Sequence, residues 1–148
     1  METPKRALEK ITTFHGHGGP WAALGYRAGM LARRMLKPEK IKDIRADIKL
    51  RYEVPYSCFL DGIQVGSCCT VGKKNLAFSD MDTVPVSCFS DRNGKKLRIG
   101  VKPQILKEIT PADDGKAAWI LQQADDVLFS VEAVQIDKGK SENLFRRP

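Results

Sequence analysis

The sequence predicts an α+β fold, a single domain in which a mainly antiparallel sheet packs against helices. Three observations predict it. An apolar stripe spaced 3, 4, 3, 4 runs through Trp21, Leu24, Ala28, Leu31 and Met35, as a buried helix requires. Residues 44–52 alternate apolar and polar, as a half-buried strand does. Asn93-Gly94 separates two strand-like runs, which marks a tight antiparallel hairpin. The length of 148 residues fits one domain, and 42% hydrophobic with 29% charged residues is ordinary for a globular chain. No apolar run approaches the ~18 residues of a membrane-spanning helix. The start, with Glu2, Lys5, Arg6, Glu9 and Lys10, lacks the apolar stretch of a secretory signal, so a cytoplasmic protein is expected.

Taken in order, residues 5–14 read as a short helix leading into the glycine-rich loop His15-Gly16-His17-Gly18-Gly19. Pro20 opens the second helix, where a missing N–H costs nothing, and Pro38 lies just beyond its end. Besides the stripe, Ala22, Ala23, Gly25, Gly29 and Ala32 are small, so another backbone can pack close. In 44–52, Ile44, Ala46, Ile48, Leu50 and Tyr52 face one way, and Arg45, Asp47, Lys49 and Arg51 the other. Between Pro55 and Gly66 the pattern favours a short helix, and 67–75 is a loop rich in Cys, Gly and Lys. Strands follow at 76–80, 85–91 and 96–102, and helices at 103–109 and 115–124. Residues 127–136 fit a strand, with helix as the rival. The domain is set at 1–136, with 137–148 as a polar, basic tail.

The charge is uneven. Residues 1–51 carry 12 Lys and Arg against 5 Asp and Glu, and the rest carry 13 of each, so the whole net charge of +7 lies in the first third. Nucleic acid, an anionic ligand or an acidic partner would each account for it. Solvated helix and strand faces are the simpler reading, because aromatic residues are not interleaved with the basic ones as a stacking platform needs.

His15 and His17 are the only histidines. Each precedes a glycine, and a helix N-terminus follows, with its free N–H groups and positive dipole end. Metal ligation, acid–base chemistry and an anion cradle are all open to them, as is a plain pair of surface histidines. The cysteines are Cys58, Cys68, Cys69 and Cys88, with no Cys-x-x-Cys, and reduced thiols in a reducing compartment are expected. Cys88, in a strand, reads as a small buried hydrophobe. Cys58 has Asp61 three residues on, on one helical face. Cys69 lies in a polar loop where Lys73 or Lys74 could lower its thiol pKa. Gly72-Lys73 is not a phosphate loop: five residues rather than four separate it from Gly66, and Lys74 stands where Ser or Thr must hold magnesium.

Two blocks carry a resemblance. Phe14-His15-Gly16-His17-x-x-Pro20 with Leu24-Gly25-Tyr26-Arg27, then Ser57-Cys58-x-x-Asp61-Gly62-Ile63-Gln64 with Cys69-Thr70-x-Gly72-Lys73-x-Asn75-Leu76, resemble the motifs of the formylmethanofuran dehydrogenase E-subunit family, in its order and at similar separation. The likeness extends over roughly 8–136. It implies an α+β domain that pairs into a homodimer, with a metal site built from His15, His17, Cys58 and Cys69, and with Asp61 and Lys73 nearby. In that family the parent complex interconverts carbon dioxide and formylmethanofuran, its molybdenum or tungsten chemistry belongs to other subunits, and the E subunit is an accessory. Three positions depart from the family pattern. Gly19 stands where cysteine is frequent, Cys68 stands where glycine is usual, and Lys74 replaces a glycine. No cysteine follows Cys88, so the cysteine-rich zinc module of many members is not in this sequence.

With imidazole and thiolate donors, a transition metal is the implied cofactor, Zn²⁺ first, with Ni²⁺ or iron as alternatives. The expected function is a metal-binding dimeric domain whose His/Cys cleft also takes a small anionic ligand. Cys58, Asp61, Cys69 and Lys73 are the candidates for any catalytic role. The alternative is an accessory or scaffold subunit of a larger oxidoreductase, without chemistry of its own. A nucleic-acid-binding protein ranks third.

Overall fold

A computed structural model of the chain describes residues 2–110, 113 and 115–135. In chain order these form α1 (Pro4–His15), α2 (Pro20–Leu36), a 3-10 turn (Ile41–Asp43), β1 (Ile44–Leu50), α3 (Cys58–Ser67), β2 (Leu76–Asp80), β3 (Val86–Asp91), β4 (Lys95–Val101), α4 (Pro103–Ile109), α5 (Gly115–Gln122), α6 (Asp125–Leu128) and β5 (Phe129–Gln135). The five strands make one sheet in the order β2-β1-β3-β4-β5. All neighbours are antiparallel except β1 and β2, which run parallel and are joined through α3, as a parallel pair requires a crossover. The expected α+β domain with a mainly antiparallel sheet is the fold observed.

Local chemistry sets the helix ends. The Thr3 hydroxyl accepts the Arg6 N–H at 3.1 Å and caps α1, whose last turn closes when the Gly16 N–H reaches Thr12 O with Gly16 at φ +95°. Pro20 begins α2, and Lys37, in the left-handed region, ends it before Pro38. Of the 17 residues of α2, 12 are buried, so this helix is enclosed almost all round rather than along one stripe. The reason lies in its small residues. A Cβ on Gly25 would stand 2.0 Å from Phe59 O, and one on Gly29 2.5 Å from Ser67 N. Gly62 and Gly66 of α3 return the contact, their added Cβ atoms falling 1.9 Å from Ala22 O and 2.2 Å from Tyr26 O. Two Gly-x-x-x-Gly faces therefore meet backbone to backbone.

The helices lie against one face of the sheet. Ile44, Ala46, Ile48 and Leu50 of β1 face them with Phe89, Leu97 and Ile99, all buried. The strand ends at Leu50. Tyr52, expected on its apolar face, lies beyond it and is exposed, because the chain turns there toward α3. Cys88 is not the expected core residue. Its register places it between Asp47 and Arg98, on the face opposite Phe89, and it is half-buried. The 127–136 segment divides: Asp125–Leu128 form one helical turn and Phe129–Gln135 the last strand. The expected basic tail, 137–148, lies outside the described residues. No helix among the described residues is long and apolar enough to cross a membrane.

Part of the basic excess of the first third is engaged in ion pairs. Lys10 pairs with Glu2, Arg27 and Arg34 both hold Asp125, Arg45 holds Asp47 and Arg51 holds Glu53. Of these, only Arg27 and Arg34 link distant elements, joining α2 to Asp125 at the start of α6.

Candidate functional site

His15 is the last residue of α1, and the left-handed Gly16 turns the chain sharply away behind it. Cys58 and Asp61 lie on the first turn of α3, where the helix dipole favours a carboxylate. The packing of α1 and α3 brings the two motifs together. His15 Nδ1 and Asp61 Oδ2 stand 2.6 Å apart, across 46 residues of sequence. Only 11% of the His15 side chain is exposed. Its Nε2 is buried without a hydrogen-bond partner. The His17 ring lies beside it, centroids 4.9 Å apart and planes tilted by 32°.

His15, Cys58 and Asp61, but not His17, line a cleft of about 310 Å³ between α3 and the β2 edge of the sheet. His15, Cys58, Asp61 and Gln64 form its polar wall, and Tyr52, Val54 and Phe78 its apolar mouth. Gln64 is a site residue to which the sequence alone assigns no role. Its amide donates to Asp61 Oδ1 at 3.4 Å, and its carbonyl accepts the Val71 N–H at 3.2 Å. The signal was present: 58, 61 and 64 step by three along one face of a helix.

Burial raises the Cys58 thiol pKa, and the Asp61 carboxylate raises it further. The thiol is therefore neutral as it stands, and only a cation in the cleft would draw out its thiolate. The other expected residues are placed elsewhere. Cys69 does not line the cleft. It is fully buried beneath β1, its S–H directed at Ile44 O at 3.7 Å and its N–H at Ser67 Oγ at 3.0 Å. Its pKa is pushed up to about 11 by burial, which outweighs the nearby Lys73 and Arg45 cations. The expected lowering by lysine is thus reversed, because desolvation of a thiolate costs more than an exposed ammonium returns. Lys73 is exposed on the 70–75 loop, its Nζ 3.3 Å from Thr70 Oγ1. Asn75 holds that loop down, accepting the Thr70 N–H at 2.9 Å and donating to Ile44 O at 3.2 Å. Cys68 caps α3 in the left-handed region, with Arg33 Nη1 3.7 Å from its sulfur, and all four cysteines are free.

The fit to a metal is partial. His15 and Cys58 both line the cleft, and imidazole and thiolate are transition-metal donors, but the unpartnered Nε2 is buried. Among the described residues, however, no three His, Cys, Asp or Glu side chains converge to hold an ion.

Known proteins share this sequence pattern. A probable S-adenosyl-L-methionine-binding protein of Archaeoglobus fulgidus is 29% identical over 105 residues, which cover 70% of this chain and 28% of that protein. The chain therefore spans little more than a quarter of the length of that relative. The family described as FmdE, molybdenum formylmethanofuran dehydrogenase operon, matches residues 14–132, which include both halves of the cleft and all five strands but for the last residues of β5. The chain belongs to this FmdE family.

Proposed function

We propose that this is an accessory domain of an oxidoreductase system, acting as a cytoplasmic homodimer, whose His15–Asp61–Cys58 cleft takes a transition metal and a small anionic ligand. One observation carries the reading: His15 Nε2 is sealed from water with no partner, while Nδ1 is locked on Asp61. A buried polar atom left unpaired costs about 1–3 kcal/mol, so it calls for a group that it can bind. With the Nδ1 proton held by the carboxylate, Nε2 presents a lone pair, the arrangement of a metal-ligating histidine and its orienting acid.

His15 and Cys58 would hold the ion, Zn²⁺ before Ni²⁺ or iron, and His17 would join by a turn of its glycine-flanked loop. Bound there, the metal supplies Lewis acidity. Asp61 fixes the His15 tautomer, Gln64 steadies Asp61, and the apolar mouth limits water. Lys73, two residues from the cleft-lining Val71, offers a cation to an anionic ligand. Cys69 has a core role in this reading. The family's association with a molybdenum formylmethanofuran dehydrogenase operon supports the accessory role, as do the ordered but chemically incomplete donors.

Elemental analysis of protein purified without added metal tests the site. About one transition metal per chain is expected. It should be lost in His15→Ala and Cys58→Ala and retained in Cys69→Ala. Folded protein free of metal would overturn the reading.

A further inference from the structure

A second cavity shares the segment between β1 and α3 with the His15–Asp61 cleft. Tyr52 and Val54 of that segment line the cleft, whereas Arg51 and Tyr56 line this cavity. The rest of its wall comes from stretches far apart in the sequence. Trp21 enters from the first turn of α2, Asp82, Thr83 and Val84 from the β2–β3 connection, and Leu106 from α4. The volume is about 210 Å³. At about 30 Å³ per water, that is the space of roughly seven waters, enough for a ligand of about ten non-hydrogen atoms.

Aromatic contacts order this wall. Trp21 meets Tyr56 edge to face, ring centroids 5.1 Å apart and planes at 79°. The Arg51 guanidinium lies over the Tyr56 ring, 5.4 Å from its centroid. Tyr56, Val84 and Leu106 are half-buried against the core, and together they offer an apolar surface. The charged groups are left open. Arg51 Nε meets Glu53 Oε2 at 2.7 Å, but the Arg51 Nη groups make no hydrogen bond among the described residues. The Asp82 carboxylate and the Thr83 hydroxyl have no partner among them either. Arg51 and Asp82 thus line one cavity with opposite charges and form no ion pair with each other.

We infer that this cavity binds a free α-amino acid with an apolar side chain. Two opposite charges held apart at one cavity select a zwitterion. The Nη edge of Arg51 takes the carboxylate, with the stack on Tyr56 fixing the plane of the guanidinium. Asp82 takes the ammonium, and the apolar side chain lies against Tyr56, Val84 and Leu106. A simple carboxylate or amine leaves one of the two charges unmatched, and a phosphate group is repelled by Asp82. The inference does not depend on a metal in the neighbouring cleft.

Isothermal titration calorimetry with L-leucine and L-phenylalanine tests it, on protein as purified and after chelation of any metal. Saturable binding of about one ligand per chain is expected for at least one of the two, before and after chelation. Isocaproate and isoamylamine, which each lack one charge of leucine, should bind at least about tenfold more weakly. Arg51→Gln and Asp82→Asn, folded by circular dichroism, should each weaken the amino acid about 10–100-fold. Asp82→Asn should also abolish the preference for leucine over isocaproate, which a merely structural loss would not do. No saturable binding, or affinity unchanged in both variants, overturns the site. Equal binding of leucine and isocaproate by wild type overturns the zwitterion assignment, as does tight binding of N-acetyl-leucine amide, which a peptide-binding groove would accept. Binding lost on chelation but kept in Arg51→Gln would place the amino acid on a metal in the cleft, overturning this site and leaving the metal reading standing.

Discussion

The α2–α3 contact offers a sharp test, because it seats α3, which carries the cleft's Cys58 and Asp61, through close backbone approach. In Gly62→Ala the new Cβ would stand 1.9 Å from Ala22 O and 2.6 Å from Tyr26 N. Both are backbone atoms of a buried helix and cannot swing aside. Ordinary contact starts near 3.4 Å, so the helices must part by about 1.5 Å. Overpacking a core usually costs about 1–3 kcal/mol, and alanine returns only about 1 kcal/mol of helix propensity. This clash involves rigid backbone and should exceed the upper figure, for a net loss of at least ~3 kcal/mol. At roughly 2–4 °C per kcal/mol for a chain of this size, Tm should fall by about 6–12 °C or more. Gly72→Ala is the control, since its Cβ meets nothing within 4 Å and should change stability by no more than ~0.5 kcal/mol. Thermal melts by circular dichroism compare the two. Equal melting temperatures would refute the close-approach account of this helix pair.

Asp61→Asn should lower metal affinity about 10–100-fold while leaving the donors in place, as read by competition with a chelator. Arg27 binds Ile120 O at 2.8 Å and Asp125 at 3.0 Å with only 13% of its side chain exposed, so Arg27→Ala should cost roughly 1–3 kcal/mol in urea unfolding. Arg34 shares Asp125 from a half-exposed position, and Arg34→Ala should cost about 0–1 kcal/mol. Cys69, raised to about 11 in the fold, gives a pH signature. The unfolded chain releases this proton first, at about 9, so stability is intact below that pH and falls as pH climbs toward 11. The loss should be on the order of 2–3 kcal/mol, and Cys69→Ala should flatten that slope whatever its absolute stability. In native protein at pH 8, Cys69 should also resist a thiol reagent that labels the half-buried Cys68.

Much of the fold was legible because its elements follow local rules. The α2 stripe, the β1 alternation and the Asn93-Gly94 hairpin each concern neighbours within a turn or a strand pair. Pro20, which starts α2, acts through its own φ. The expected close approach to Gly25 and Gly29 was legible as well, though its partners Gly62 and Gly66 were not. Where reading failed, a non-local force prevailed. The strand expected at 127–136 is present as Phe129–Gln135, and only its first residues belong instead to the helical turn Asp125–Leu128, whose Asp125 is held by Arg27 and Arg34 of α2. Cys88 is inward by type but outward by register, which β1 and β4 set together.

The site divides in the same way. By itself the sequence determined an α+β domain, a buried glycine-faced helix, two motif blocks with family character, and His15, Cys58 and Asp61 as residues of interest. Only the tertiary structure decided that His15 and Asp61 touch, that Gln64 joins them and that the apolar rim opens at the sheet edge. It likewise put Cys69 in the core. Periodicity and capping are short-range and can be read along the chain. Which side chains lose water, and which motifs meet across 46 residues, depends on how packed elements share their burial, and that is a property of the whole fold.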